Sequence, residues 1–271
     1  MSGRIVRPPR RVVADVFHGA VGRGRCGALR MAGHCDGDMC EFIVKLDATL
    51  TYPPTEHLFE WVAAELGRHL GVAVPESFEV VMERSFAASI PDSAVRERAL
   101  GSLRPAYGSR VALGVSPPLL GEVLPAGIRL AAAELLAFDL FIHNYDRRAG
   151  SNPNVLVGRE RVVPFDHGDA FGFLLPLFGA EDPIAGPLLD VARQHVFGAA
   201  VRADRSLSLA RFDAAVRDLD DAFFDALRAA TPTCWTTGHA VNKLDRLIDT
   251  LRQRRDSLDR WLPQVQAWML S

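Results

Sequence analysis

At 271 residues the chain is long enough to bury a substantial core, either as one large domain or as two lobes sharing a cleft. Apolar residues make up 48% and charged residues 24%, which is ordinary for a globular protein. A net charge of −2 speaks against general attraction to nucleic acid or to an anionic membrane.

The first residues, MSGRIVRPPRR, carry basic side chains with no apolar core behind them, so they do not read as a secretory signal. The longest apolar helix candidate, from about Ile128 to Ile142, is interrupted by Arg129, Glu134 and Asp139 and is too short to span a bilayer. No membrane association and a cytoplasmic location are expected. His34, Cys35 and Cys40 lie close together, but no second His/Cys pair stands at a spacing that closes a tetrahedral zinc site. They read as reduced thiols in a hairpin, and Cys234 as buried filler.

The first half is strand-rich. Arg10 to His18 (RRVVADVFH) has β-branched content and runs into the glycine-dense GAVGRGRCG. ALRMA follows as a short strand, GHCDGD supplies a turn with an Asp-Gly step, and CEFIVKLD is the next strand. A helix is predicted from about Thr55 to Leu70, preceded by Pro53-Pro54, N-capped by Thr55 and closed by Gly71. Its Leu58, Trp61, Val62, Leu66 and Leu70 recur at spacings of three and four and form one apolar face. SFEVVME reads as another strand. Residues Ser85 to Leu124 carry turn signals at YGS, SPP and PAG and resist assignment, and a boundary between two lobes is placed near Pro117–Pro118.

The second half reads as mainly helical. A helix from about Ile128 to His143 leads into the polar stretch NYDRRAGSNPN, followed by two short strands, NVLVG and RVVPFD, joined at GRER. Beyond HGDAFGF and a Pro-rich segment, helices are predicted near Ala210 to Ala229 and Val241 to Leu270. The last has Leu244, Leu247, Ile248, Leu251 and Leu258 on its apolar side, a face expected to serve the core.

A short hairpin returns the chain to its start, so Asp146 before it and Asp166 after it should sit near one another, with asparagines between them. Asp and Asn offer hard oxygen donors, which suit Mg²⁺ rather than zinc or copper. One Asp on the metal and a second nearby to orient a hydroxyl is the division of labour of phosphoryl transfer. Each residue alone could equally cap a helix or a turn; it is the ordered set around a hairpin that points to a site.

Upstream residues fit that chemistry. Only Lys45 and Lys243 among the 31 basic residues are lysines. Lys45 lies in an apolar strand between Val44 and Leu46, where an isolated ammonium would be costly, and a compact point charge suits a nucleotide phosphate. Glu60 on the following helix is its candidate partner, with Glu56 as rival. Gly22, Gly24 and Gly27 match G-x-G-x-x-G between two strands, the context of a phosphate-covering loop rather than of a dinucleotide fingerprint.

FIHNYDRRAGSNPNVLV and VVPFDHGDAF, together with EFIVKL and HLFEWVAAELGRHLGVAVPES, resemble the HipA-like kinases, in particular their short stand-alone branch. The resemblance implies an α+β, bilobal fold similar to protein kinases and phosphoinositide kinases. It implies a β-rich N-lobe over residues 1–118, a mainly helical C-lobe over 119–271, and ATP and Mg²⁺ in the cleft. By position, Asp146 would be the catalytic Asp, Asp166 a metal ligand, Lys45 the phosphate-binding lysine and Glu60 its support. The metal-binding Asn of such loops stands five residues after the catalytic Asp, where this chain has Ser151. Reading a one-residue insertion in RAGS leaves Asn152 by spacing and Asn154 by strand register, and both stand as metal candidates. The glycine loop also lacks a Ser or Thr for self-phosphorylation. The expected activity is transfer of the ATP γ-phosphate to a hydroxyl, of protein Ser/Thr or of a small molecule. A degenerate nucleotide-binding interaction module is the rival reading, and a regulatory protein partner is allowed for.

Overall fold

A computed structural model describes residues 6–21, 27–118, 124–150, 153–174 and 188–271. The architecture is mixed α+β. Strands β1 (Arg10–Ala20), β2 (Leu29–Cys35) and β3 (Asp38–Val44) form an antiparallel meander. Helix α1 (Thr55–His69), strand β4 (Ser77–Val81), short helices α2 (Arg84–Ser89) and α3 (Ser93–Leu100) and strand β5 (Ala106–Arg110) follow. The sheet order is β1-β2-β3-β5-β4, and β4 pairs in parallel back onto β1, closing the sheet on itself. Two register shifts in β1, between Ala14 and Val16 and between Phe17 and Gly19, supply the extra twist that such closure needs. Gly33 faces the first of them: a Cβ there would stand 2.0 Å from the Val13 carbonyl oxygen, so no other residue fits.

Alternation along the strands turns Val12, Ala14, Met31, Phe42, Val44, Phe78 and Val80 inward, where Ala87, Val95 and Ala99 from α2 and α3 complete a first hydrophobic cluster. Cys35 and Cys40 are buried free thiols of that cluster.

Helix α4 (Ala126–Phe141) opens the second half and is followed by the hairpin of β6 (Val155–Val157) and β7 (Val162–Pro164). Helices α5 (Leu188–Gln194), α6 (Gly198–Arg202), α7 (Ala210–Arg217), α8 (Asp221–Ala230), α9 (Lys243–Asp256) and α10 (Leu258–Leu270) complete the chain. They bury a second, larger cluster around Leu136, Phe141, Phe212, Trp235, Leu251 and Trp261. Leu58, Trp61, Val62 and Leu66 of α1, with Leu70 at its C-cap, join this helical cluster rather than the sheet's. Helix α1 is thus attached to the helical core, while its Glu60 reaches the residue that follows β3.

The elements depart from expectation in four places. Pro54, not Thr55, occupies the N-cap position of α1, and Thr55 is its first helical residue, with its hydroxyl accepting from Lys243 at 3.2 Å. The helix expected over Ala210 to Ala229 divides at Leu219, because the Asp220 carboxylate caps a new helix by accepting from Phe223 N at 2.7 Å. The helix expected over Val241 to Leu270 divides at Ser257, where the Trp261 indole donates to the Arg254 carbonyl at 3.1 Å and satisfies a helix-end acceptor. Finally, Ser85 to Leu124 holds α2, α3 and β5. No helix among the described residues is long and apolar enough to cross a membrane.

Candidate functional site

Period-2 alternation buries Phe42 and Val44 inside the sheet and sends Lys45, one residue past the end of β3, to the opposite side. There its ammonium donates to Glu60 Oε1 at 2.8 Å and also to Asp166 Oδ1. Burial works against the charge of Lys45, but the carboxylates of Glu60 and Asp166 outweigh it and hold its pKa above the usual lysine range. The same burial pushes the Glu60 carboxyl up, against the pull of Lys45. Glu60 makes a second connection, accepting from the His167 backbone N–H at 2.8 Å. Glu56, the rival, is engaged elsewhere: it accepts from Thr51 N and Tyr52 N, each at 2.8 Å, and closes the turn before α1.

Helix α4 delivers the polar loop. Asp139, completely buried in its last turn, anchors that loop: Asn144 Nδ2 donates to it at 2.9 Å, Arg147 Nε at 2.6 Å, and the His195 ring lies 3.0 Å away. Burial opposes ionisation of Asp139, yet the Arg147 charge and the His195 hydrogen bond hold it well below the ordinary carboxylate range. Asn144 then receives the Asp146 backbone N–H on its side-chain oxygen at 3.1 Å. Asp146 itself is open to solvent, and its carboxylate accepts from Asn154 Nδ2. Partial enclosure, then the charges of Asp166 and Asp169, push the Asp146 carboxyl upward.

The β6/β7 hairpin closes the site. Asn154 precedes β6 and Asp166 follows β7, and the Phe165 N–H donates to the Asn154 carbonyl at 3.1 Å, so the two ends of the hairpin meet. Asn154 and Asp166 both adopt left-handed backbone, φ 51° and 60°, a conformation that Asn and Asp tolerate better than other side chains. Because the Asp146 carboxylate only accepts, the amide nitrogen of Asn154 must face it, and Asn154 Oδ1 is left as a buried acceptor with no hydrogen-bond partner. Asp169 is exposed.

Lys45, Glu60 and Asp166 therefore meet in one cluster, and Asp146 and Asn154 in an adjoining one. Gly27 is described, with φ 49°, just ahead of β2, while Gly22, Gly24 and Asn152 lie outside the described residues. Sequence reasoning missed the anchoring set of Asp139, Asn144, Arg147, His167 and His195. Asp139 carried the available signal, since a carboxylate within an apolar helix needs a buried partner.

Among solved structures, the crystal structure of a Helicobacter pylori proinflammatory kinase, CtkA, aligns with a TM-score of 0.52 at 11% sequence identity, covering 94% of this chain and 97% of that one. The fold is that of a kinase. A model of the HipA-like kinase family matches residues 33–254, and the chain belongs to that family. No curated protein matches it. Family and fold together support a kinase-type phosphotransferase, in a family that generally uses ATP and Mg²⁺.

Proposed function

We propose that the chain is an ATP- and Mg²⁺-dependent phosphotransferase whose N-lobe (1–118) and C-lobe (119–271) enclose a nucleotide cleft, and that it transfers the γ-phosphate to a hydroxyl of protein Ser/Thr. The observation that carries this reading is the double engagement of Lys45 by Glu60 and Asp166, which joins three distant segments of chain at one partly buried cation. A lysine held by one carboxylate and facing a second is poised to take the α/β-phosphates of a nucleotide as its next partner. Glu60 keeps the ammonium in place, and Gly22, Gly24 and Gly27 are assigned to nucleotide binding by their G-x-G-x-x-G spacing.

The donor set fits Mg²⁺. Asp166 contributes a carboxylate whose side chain is 31% exposed, and Asn154 contributes the buried oxygen that lacks a partner. Asn152 remains the alternative by spacing. Bound Mg²⁺ would neutralise charge on the β- and γ-phosphates. Asp146, made more basic by enclosure and by Asp166 and Asp169, accepts the proton of the incoming hydroxyl or orients it. Asn154 fixes the direction of that carboxylate through its amide hydrogen bond. The choice of a protein acceptor follows the family resemblance.

The test is calorimetric titration of ATP into the protein with and without Mg²⁺, beside Asp166→Ala. Binding that strengthens with Mg²⁺ and loses that gain in the variant is expected. Absence of ATP binding under both conditions would overturn the reading.

A further inference from the structure

We propose that Arg147 is the positioning residue of this site, a single guanidinium that sets the backbone bearing Asp146, Asn154 and Asp166 in one fixed relation. The roles of those three side chains rest on the phosphotransferase reading; the geometry that joins them does not.

The Arg147 side chain is fully buried. Its Nε and Nη2 grip Asp139 on α4 at 2.6 and 3.4 Å, a two-point attachment to a rigid helix. The remaining reach of the group goes to the site. Nη1 donates to the Asn154 carbonyl and, at 3.4 Å, to the Phe165 carbonyl, while Nη2 lies 2.9 Å from His167 Nε2. A guanidinium only donates, so His167 must present a bare Nε2 and carry its proton on Nδ1, which stands 3.8 Å from Glu60 Oε2. Each of these three side chains is thus within one residue of Arg147 or of one of its contacts. Asp146 is its chain neighbour, Asn154 supplies a carbonyl, and Asp166 lies between Phe165 and His167.

This distribution differs from what stability alone requires. A buried ion pair is weak evidence for stabilisation, because desolvation offsets most of the attraction, and Asp139 already has Asn144 and His195 as partners. The donors of Arg147 instead hold the peptide planes beside two left-handed residues, Asn154 and Asp166, whose conformations need support from their surroundings. Lysine could keep the charge next to Asp139. Its single ammonium cannot span two carbonyls, an imidazole and a carboxylate.

The experiment compares wild type with Arg147→Lys and with the double variant Asp139→Asn/Arg147→Met, which removes both charges together. Three quantities are read: the thermal midpoint, hydrogen exchange of the 153–168 segment against α4 without ligand, and ATP hydrolysis at saturating Mg²⁺. For Arg147→Lys the expected result is faster exchange across 153–168 with α4 still protected. Its kcat should fall about 100-fold, as misplacement by an ångström does, with the KM for ATP within about twofold of wild type. The double variant should recover thermal stability without recovering kcat. Unchanged exchange across 153–168 in both variants would overturn the proposal, as would a kcat that returns with stability in the double variant. A wild-type protein that binds no ATP with or without Mg²⁺ would count against the phosphotransferase reading alone, and the exchange comparison would still decide the role of Arg147.

Discussion

Asn154 shows how much one side chain can be asked to do. Its amide nitrogen is committed to Asp146, its carbonyl takes both the Phe165 N–H and Arg147, and its own side-chain oxygen is the acceptor left over. Burying an acceptor without a partner costs on the order of 1–3 kcal/mol, a cost that a bound cation would relieve. We therefore expect Asn154→Ala to weaken Mg²⁺-dependent ATP binding by more than about 10-fold, since even partners that merely support a metal ligand are worth 10–100-fold. Asn152→Ala should stay within about twofold of wild type. Calorimetric titration of the two variants side by side decides between them, and the reverse ranking would move the metal role to Asn152. The sequence held both asparagines open because spacing and register disagreed, and of the two only Asn154 lies among the described residues.

Among the elements, α1 was legible because five apolar residues recur at helical spacing and Gly71, with φ 81°, ends the run. The β6/β7 hairpin was legible from two short apolar runs around a polar turn. Strand β5 was not, since Ala-Tyr-Gly-Ser-Arg has little β-propensity; its place depends on Gly108, where a Cβ would meet Val80 Cγ2 at 2.5 Å. Helix α2 is too short for periodicity to show, and the buried state of Arg147 leaves no trace in a run of two arginines. The seat of α1 depends on contacts from far along the chain. Trp235 is fully buried, donates to the Pro105 carbonyl at 2.9 Å and packs against Trp61 and His57, with ring centroids 6.4 and 6.2 Å away. Trp61 in turn donates to the Thr231 hydroxyl at 3.2 Å. Trp235→Ala should cost about 3–5 kcal/mol by urea denaturation. Because α1 carries Glu60, the same variant should also weaken ATP binding, and unaltered ATP binding in the destabilised protein would show that the helix keeps its seat without Trp235.

At the scale of the whole molecule, the buried titrating groups confine stability to a window of pH. His143 is buried, and burial together with the charge of Arg254 pulls its pKa down to about 4; burial lowers His195 as well. An unfolded histidine binds its proton near pH 6.5, so between that value and the folded one the unfolded chain holds more protons than the native protein. Stability from these residues is complete above about pH 6.5 and is lost as the pH falls below it. For His143 alone the loss between pH 7.5 and 5 is about 2 kcal/mol, and His195 adds to it in the same direction. Asp139, depressed by Arg147 and His195, extends the loss below pH 4. On the alkaline side the sign reverses. Burial and the Glu60 carboxylate push Tyr107 up to about 12, so the native state holds a proton that the unfolded chain releases above about pH 10. Lys45, raised by Glu60 and Asp166, behaves alike, and stability from both is lost as the pH climbs past their unfolded values. Burial raises the Cys35 and Cys234 thiols in the same sense, from an unfolded value near 8.5, so urea denaturation across the pH range should give a plateau between about pH 7 and 8.5, with a fall on each side. His143→Asn, if it folds, should flatten the acid limb by up to one proton. A stability that stays level from pH 7.5 to 5 would mean that these histidines are charged in the native core, where the neighbouring Arg254 makes that charge costly.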